Sequence, residues 1–183
     1  MTVELVIRAQ GGDHDAFEVL ARTSIDRLYG IARRVLRDPT AAEDAVQDCL
    51  VRAWRDLRAL REPARFDAWL YRLLLNSCRD ELRRSRRRPA VVTLESIGGP
   101  AAEDQYAAVA RRDEIARGFA RLSIEHRMAL TLHLHLGLGA TEIARVLGVP
   151  EGTATSRIHY GTRALRAILN EPAPAPAAPG AVR

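Results

Sequence analysis

The apolar positions of this chain recur at helical spacing through most of its length. Phe17, Leu20, Ala21, Ile25 and Leu28 fall on one face of a helix that Asp13 can cap at its N-terminus. Asp38-Pro39-Thr40 breaks that pattern. Thr40 and Glu43 form a T-x-x-E capping box, which predicts a second helix running to about Arg58. Its apolar stripe is Ala42, Val46, Cys49, Leu50 and Ala53, with Trp54 beside it. Pro63 marks a loop. Phe66, Trp69, Leu70, Leu73, Leu74, Cys78 and Leu82 keep the i, i+3, i+4, i+7 rule. They predict a third helix from about Asp67 to Arg87 with this face in the core. Tyr71, Leu75, Asn76 and Arg79 lie off that stripe and are expected to be exposed.

Residues 89–110 lose the pattern. Pro89, Gly98, Gly99 and Pro100 read as a linker with at most a short strand-like piece at 91–94. Helical periodicity returns from about Arg112 to Asn170. Residues 171–183 hold four Pro among Ala, Gly and Val and have no reason to fold. The expected architecture is all-α. Two small helical domains, residues 1–88 and 112–170, are joined by a flexible linker at 89–111, with a disordered tail at 171–183.

The most informative local pattern is TEIARVLGVPEGTATSRIHYGTRALRAIL at 141–169. Thr141 can cap a short helix that turns Ile143, Ala144 and Leu147 inward. Gly148 suits the left-handed residue that ends such a helix. Pro150 sits at or near the first turn of the next, where its missing N–H costs nothing. The spacing of Ala144, Gly148 and Ala154 fits a helix-turn-helix. Ala154, Ile158, Gly161, Leu165 and Ile168 share one face of the second helix. Ser156, His159, Tyr160 and Arg163 occupy the other, with Thr155 and Arg166 at its edges. Hydrogen-bonding and phosphate-binding side chains on that face suit DNA.

Charge sharpens this picture. The chain has 183 residues and a formal net charge of +5, and every one of its 28 basic residues is Arg. Arg forks onto phosphate better than a point charge does. The charge is uneven. Residues 38–48 carry Asp38, Glu43, Asp44 and Asp48 without a base, whereas 79–88 carry six Arg against Asp80 and Glu81. That asymmetry suggests one surface for nucleic acid and another for a different partner. The Arg run, with Tyr71 and Asn76 on the same helix, suits a single strand through stacking, edge hydrogen bonds and phosphate attraction.

Several function classes are not indicated. There is no HExxH, GxxxxGK or GxSxG and no Gly-rich dinucleotide turn, so no catalytic residue, cofactor or small-molecule substrate is expected. His133 and His135, two apart, fall on opposite sides of a helix and do not suggest a metal site. Cys49 and Cys78 form no CxxC pair and read as core residues of a reduced, cytoplasmic protein. No run of 18 apolar residues and no secretory signal is present, so membrane insertion is not expected.

Both helical blocks, in this order, resemble the extracytoplasmic-function (group 4) bacterial sigma factors. AEDAVQDCLVRAW at 42–54 resembles region 2.2, FDAWLYRLLLNSCRDELRRSRRR at 66–88 resembles regions 2.3 and 2.4, and residues 122–169 resemble region 4. The resemblance implies a non-catalytic factor that binds core RNA polymerase and directs promoter-specific initiation. Asp44, Gln47 and Asp48 would face the clamp helices of the β′ subunit. Phe66, Tyr71 and Asn76 would act on the melted −10 element, with Arg79, Arg83, Arg84, Arg86 and Arg87 on phosphates. Thr153, Thr155, Ser156, Arg157, His159 and Arg163 would read or clamp the −35 element, and region 4 would also touch the β flap. The acidic linker, with Glu95, Glu103 and Asp104, would thread the polymerase RNA channel. An anti-sigma factor is a further partner left open by the sequence. Through polymerase the protein would be associated with the nucleoid. The chain departs from the family at Ala154 and Thr155, where a branched and a basic residue are usual.

A stand-alone helix-turn-helix regulator and a basic helical adaptor are the competing readings. Neither accounts for three motifs in this order.

Overall fold

A computed structural model describes residues 2–85 and 115–170, and all the described elements are helical. The helices are α1 (Thr2–Gln10), α2 (His14–Leu36), α3 (Pro39–Asp56), α4 (Phe66–Ser85), α5 (115–121), α6 (Ile124–Leu136), α7 (Ala140–Leu147) and α8 (Glu151–Asn170). Short 3-10 turns at Leu57–Ala59 and Pro63–Arg65 connect α3 to α4. The linker, the tail and the Arg86–Arg88 run fall outside the described residues, as do Glu95, Glu103 and Asp104.

Local chemistry sets these boundaries. Asp13 caps α2, its carboxylate accepting the Ala16 N–H at 3.0 Å, and that bond with the Arg8 pair holds its pKa below the usual carboxylate value. The expected Thr40–Glu43 box does not form. Asp38 is the N-cap of α3, accepting from Ala41 N at 3.0 Å, because Pro39 takes the first helical position, where its fixed φ fits. Likewise Thr141 is not the cap of α7. Gly139 holds that position, and the Glu142 carboxylate accepts its N–H at 2.9 Å. Thr141 instead donates to Glu151 at 2.8 Å, tying the two helices of the helix-turn-helix. Gly148 ends α7 at φ 67°, in the left-handed region the sequence pattern anticipates. The Pro150 carbonyl accepts the Thr153 and Ala154 N–H groups at 2.9 and 3.1 Å, opening α8.

Helices α2, α3 and α4 pack around Leu20, Leu28, Ile31, Ala42, Cys49, Leu70 and Leu74, all buried. Each fully buried Leu or Ile contributes about 1.5–3 kcal/mol. Arg52 bridges α3 and α4, reaching Asp48 at 3.0 Å and Asp80 at 2.9 Å. Helix α1, which the periodicity does not single out, buries Val6 and Ala9 against α2. Gln10 satisfies two carbonyls of the following turn, Leu57 at 3.1 Å and Leu60 at 2.7 Å. Ile25, expected on the core face of α2, is exposed, and Ser24 is buried in its place, so the true buried face is rotated by one residue.

In the second block α6 and α8 enclose a small core of Leu122, Leu130 and Leu165. Their crossing needs Gly161: a Cβ there would lie 3.2 Å from both His126 Cβ and Leu130 Cγ. The two blocks also pack on each other, α6 against α2 and α7 against α4. Met128, Ala129 and Leu132 of α6, with Ile143, Val146 and Leu147 of α7, are buried in one continuous cluster with the core of the first block. Arg127 fastens the seam. Its guanidinium donates to the carbonyls of Phe119 (3.0 Å), Ala120 (2.9 Å) and Leu122 (3.0 Å) beside it and to Val35 O (2.8 Å) at the end of α2.

Candidate nucleic-acid and polymerase interfaces

Helix α3 keeps one face free of the core. Asp44 and Gln47 are exposed and Asp48 is half-buried, at i, i+3 and i+4. With Val51, 59% exposed, and Arg84 they line a shallow groove of about 270 Å³. The lining combines two carboxylates and an amide with one apolar residue and one guanidinium. Asp48 is the least available of the three acceptors, because Arg52 holds it at 3.0 Å and Arg84 lies 3.7 Å away. Val51 and Arg84 complete the groove, and the charge pattern alone did not point to Val51. At the far end of α3, Trp54 is 39% exposed rather than core, stacked near Phe17 at 4.9 Å and His14 at 4.6 Å.

Helix α4 carries the candidates for opened DNA. Asn76 is half-exposed, and its Oδ1 accepts from Arg79 at 3.0 Å. Arg83 and Arg84 are exposed and pair with Asp80 (3.2 Å) and Glu81 (3.0 Å) one turn back. The expectation of an exposed Tyr71 and Leu75 is corrected: Tyr71 is 5% exposed and Leu75 is fully buried. Arg27 of α2 covers the Tyr71 ring at 5.3 Å, and burial pushes the phenol pKa up. Phe66 is buried as its place in the core stripe requires, so its ring is not presented to a strand in this conformation. Periodicity misjudged Tyr71 and Leu75 because it considers one packing face, whereas α4 is covered on two. Arg86 and Arg87 lie outside the described residues.

Helix α8 divides its candidates. Thr155, His159 and Arg163 line an open groove of about 660 Å³ together with His133, Ala140, Ile158, Thr162 and Arg166. They follow i, i+4, i+8 and form a stripe of hydroxyl, imidazole and guanidinium groups. Thr162 was not singled out in the sequence, and His133 was considered there only as a metal ligand. Thr162 lies on that stripe, but His133 comes from α6 and no local signal places it there. His133 Nδ1 lies 2.9 Å from Leu138 O, so the ring is held in place. Thr153 and Ser156 are half-buried, and the Ser156 hydroxyl donates back to Thr153 O at 2.9 Å. Arg157, two residues from Thr155 and so about 200° around the helix, points away from this groove. It pairs with Glu125 of α6 at 2.9 Å, while Arg79 of α4 approaches the same carboxylate at 3.9 Å.

Among the described residues no group of His, Cys, Asp and Glu could hold a metal, and no helix is long and apolar enough to cross a membrane. Both cysteines are buried, and burial pushes each thiol up to about 12.

Comparisons with known proteins follow the two helical blocks. Residues 20–88 match the model of Sigma-70 region 2, and residues 112–167 match Sigma-70 region 4. The ECF RNA polymerase sigma factor SigL of Mycobacterium tuberculosis is 38% identical over 147 residues, which is 79% of this chain and 83% of SigL. The chain belongs to the extracytoplasmic-function sigma factors of the sigma-70 family. Sigma factor SigM of the same species is 36% identical over 166 residues, 91% of this chain and 83% of SigM. Among solved structures, CnrH in complex with the cytosolic domain of CnrY superposes with a TM-score of 0.70 at 28% identity, covering 92% of this chain and 96% of that one. As a sigma factor, the protein binds core RNA polymerase and directs promoter-specific initiation, with region 2 at residues 20–88 and region 4 at residues 112–167. It is a transcription initiation factor.

Proposed function

We propose that the exposed face of α3 docks on the clamp helices of the polymerase β′ subunit, and that α4 and α8 take the −10 and −35 elements. The observation that carries this assignment is the segregation of charge. Asp44, Gln47 and Asp48 offer acceptors on one helix, where Arg84 alone reaches in from α4, while Arg83, Arg163 and Arg166 stand on two others. A basic protein surface and a phosphate backbone could not both be served by one mixed face.

On this reading Asn76 captures a base edge of the melted −10 strand, and Arg79, Arg83, Arg84, Arg86 and Arg87 hold its phosphates. Phe66 and Tyr71 would support the α4 surface from the core side. Thr155, His159 and Arg163 read or clamp the −35 duplex, with Thr153 and Ser156 shaping the start of α8 and Arg157 joining them once released from Glu125. Region 4 also meets the β flap. The linker runs through the RNA channel, and the protein works in the cytoplasm at the nucleoid. CnrH is solved in complex with the cytosolic domain of CnrY, which supports a protein partner for this chain, here read as an anti-sigma factor.

Polymerase would hold the two DNA sites at the separation the promoter requires, which makes binding bivalent. The test is promoter affinity with and without core polymerase, on templates whose spacer between the two elements is lengthened one base pair at a time. Tight binding only with polymerase, falling as the spacer departs from its optimum, is expected. Equal, spacing-insensitive binding by the free chain would overturn the assignment.

A further inference from the structure

We propose that His133, at the end of α6 and outside the recognition helix, is a proton-dependent phosphate ligand, so that binding of the upstream promoter element takes up a proton at its ring. The inference rests on the assignment of α8 to that element.

The local sequence fixes this ring. Gly137 ends α6 at φ 69°, in the left-handed region, and the chain folds back so that Leu138 N–H reaches Leu132 O at 3.3 Å. The turn brings the Leu138 carbonyl beside His133, 2.9 Å from Nδ1. A carbonyl only accepts, so Nδ1 carries the proton of the neutral ring. Leu138 is half-buried and packs against the core, which makes the anchor firm. Nε2 is then the atom that titrates. It holds a lone pair in the neutral ring and an N–H in the cation. Among the described residues Nε2 has no hydrogen-bond partner.

The ring borders the open groove that holds the α8 stripe. From α8 that groove presents His159, Arg163 and Arg166, and from the start of α7 it presents Ala140. Among the described residues no carboxylate lines it, and the Glu142 carboxylate of α7 is taken by Gly139 N–H at 2.9 Å. His135, two residues on, lies on the other side of α6 beside Gly30 and Arg34 of α2. The groove is thus cationic without a counter-charge of its own, and the anion that suits it is the backbone of a DNA strand. Groups that flank a recognition helix meet phosphates, while the helix itself faces base edges. A phosphate oxygen at Nε2 favours the charged ring, because only that form donates there. The contribution of His133 is therefore full at low pH. It fades as pH rises through the range in which imidazole loses its charge, about pH 5–8.

The test uses holoenzyme reconstituted from core RNA polymerase and the full chain, with a duplex carrying the upstream element of a promoter selected by run-off transcription. Affinity is read by fluorescence anisotropy at about pH 6 and about pH 8 for the parent, His133→Gln, His133→Arg and Arg163→Ala. At the lower pH His133→Gln should bind about tenfold more weakly than the parent, with a salt slope smaller by about one. At the higher pH it should bind no more weakly. His159, exposed on α8, gives a pH dependence common to parent and variant, which the difference removes. His133→Arg carries a permanent charge and should reduce the pH dependence to that of His133→Gln. Methylphosphonates placed at one phosphate at a time should locate a position at which parent and His133→Gln no longer differ. Equal pH dependence in the two would overturn the proposal. So would a loss in His133→Gln that is the same at both pH values, which marks the Leu138 anchor as purely structural. A proton effect that survives every neutralised phosphate overturns the phosphate ligand in favour of a base edge. Should His133→Gln lose helix content, His133→Arg decides, and parent-like pH dependence in it sinks the idea. Weakened binding in Arg163→Ala with no effect at His133 removes only this inference, whereas unchanged binding in Arg163→Ala removes the α8 assignment beneath it.

Discussion

Replacing Arg127 by Met should destabilise region 4 more than any other single exchange of a half-exposed residue. The side chain makes four hydrogen bonds to backbone carbonyls, at 2.8–3.0 Å, and among the described residues no carboxylate pairs with it. Three acceptors, Phe119, Ala120 and Leu122, lie at the C-terminal end of α5, and the fourth, Val35, near the C-terminal end of α2. These are helix ends whose carbonyls lack intrahelical donors and carry partial negative charge. Burial holds the guanidinium pKa below its usual value, yet Arg remains charged at any ordinary pH. A hydrogen bond to a charged group is worth about 1.5–3 kcal/mol, and one that water can replace considerably less. Phe119 and Ala120 are half-exposed, so their carbonyls rehydrate on loss of the cation, whereas Val35 is fully buried. The net cost comes to about 2–4 kcal/mol. With a urea m-value of about 2 kcal/mol per M, the midpoint should fall by about 1–2 M. Arg127→Lys should recover less than half, because an ammonium cannot span four acceptors in a fork. The assay is urea unfolding followed by far-ultraviolet circular dichroism. A midpoint for Arg127→Met within about 0.2 M of the parent would refute the reasoning, since it would mean that water serves all four carbonyls equally well.

Other expectations follow from the same geometry. Asp44→Arg should weaken core polymerase binding by about tenfold, the effect of losing about 1.4 kcal/mol, without changing helix content. It is a cleaner probe than Asp48→Arg, because Asp48 also holds Arg52; unchanged affinity in a polymerase titration would remove α3 from the interface. Asn76→Ala should slow open-complex formation, read by permanganate footprinting, while sparing polymerase affinity. Arg163→Ala should lower affinity for the upstream element and reduce the salt slope of binding by about one; an unaltered slope would place Arg163 off the phosphates. Cys49 and Cys78, with thiols pushed up to about 12 by burial, should resist iodoacetamide at pH 8 in the folded protein and react in urea. Because thiolate is the reactive form, alkylation of the native state should stay slow until the pH nears that value.

Helix periodicity and capping chemistry made most of the fold legible. Asp13, Gly148 and Gly161 each occupy the role their residue type suggests. Errors arose where two local signals competed. Asp38 with Pro39 at the first helical position outcompetes the Thr40 box, and the Glu142 carboxylate on Gly139 N–H outcompetes Thr141. The acidic face of α3 was legible because surface charge needs no tertiary partner to be recognised. Tyr71 and Leu75 were misjudged for the opposite reason. A single helix's pattern records how many of its faces are apolar but not that Arg27 and the second block cover the remaining one. Glu125 and Arg127, which join the blocks, gave no sequence signal, because their partners lie on other helices or are backbone carbonyls. Arg157 illustrates the same limit. Its residue type is right for phosphate, and its position on α8 turns it toward Glu125 rather than toward the groove of Thr155, His159 and Arg163.

Run-off transcription on a fragmented genomic library from the source organism, with purified core RNA polymerase and the full chain, addresses the central claim most directly. The account predicts transcripts that require both components, start at discrete positions and share two upstream elements at a fixed spacing, with Asp44→Arg reducing the yield. Discrete binding to DNA by the chain alone, with no polymerase complex and no transcript dependent on it, would contradict the account.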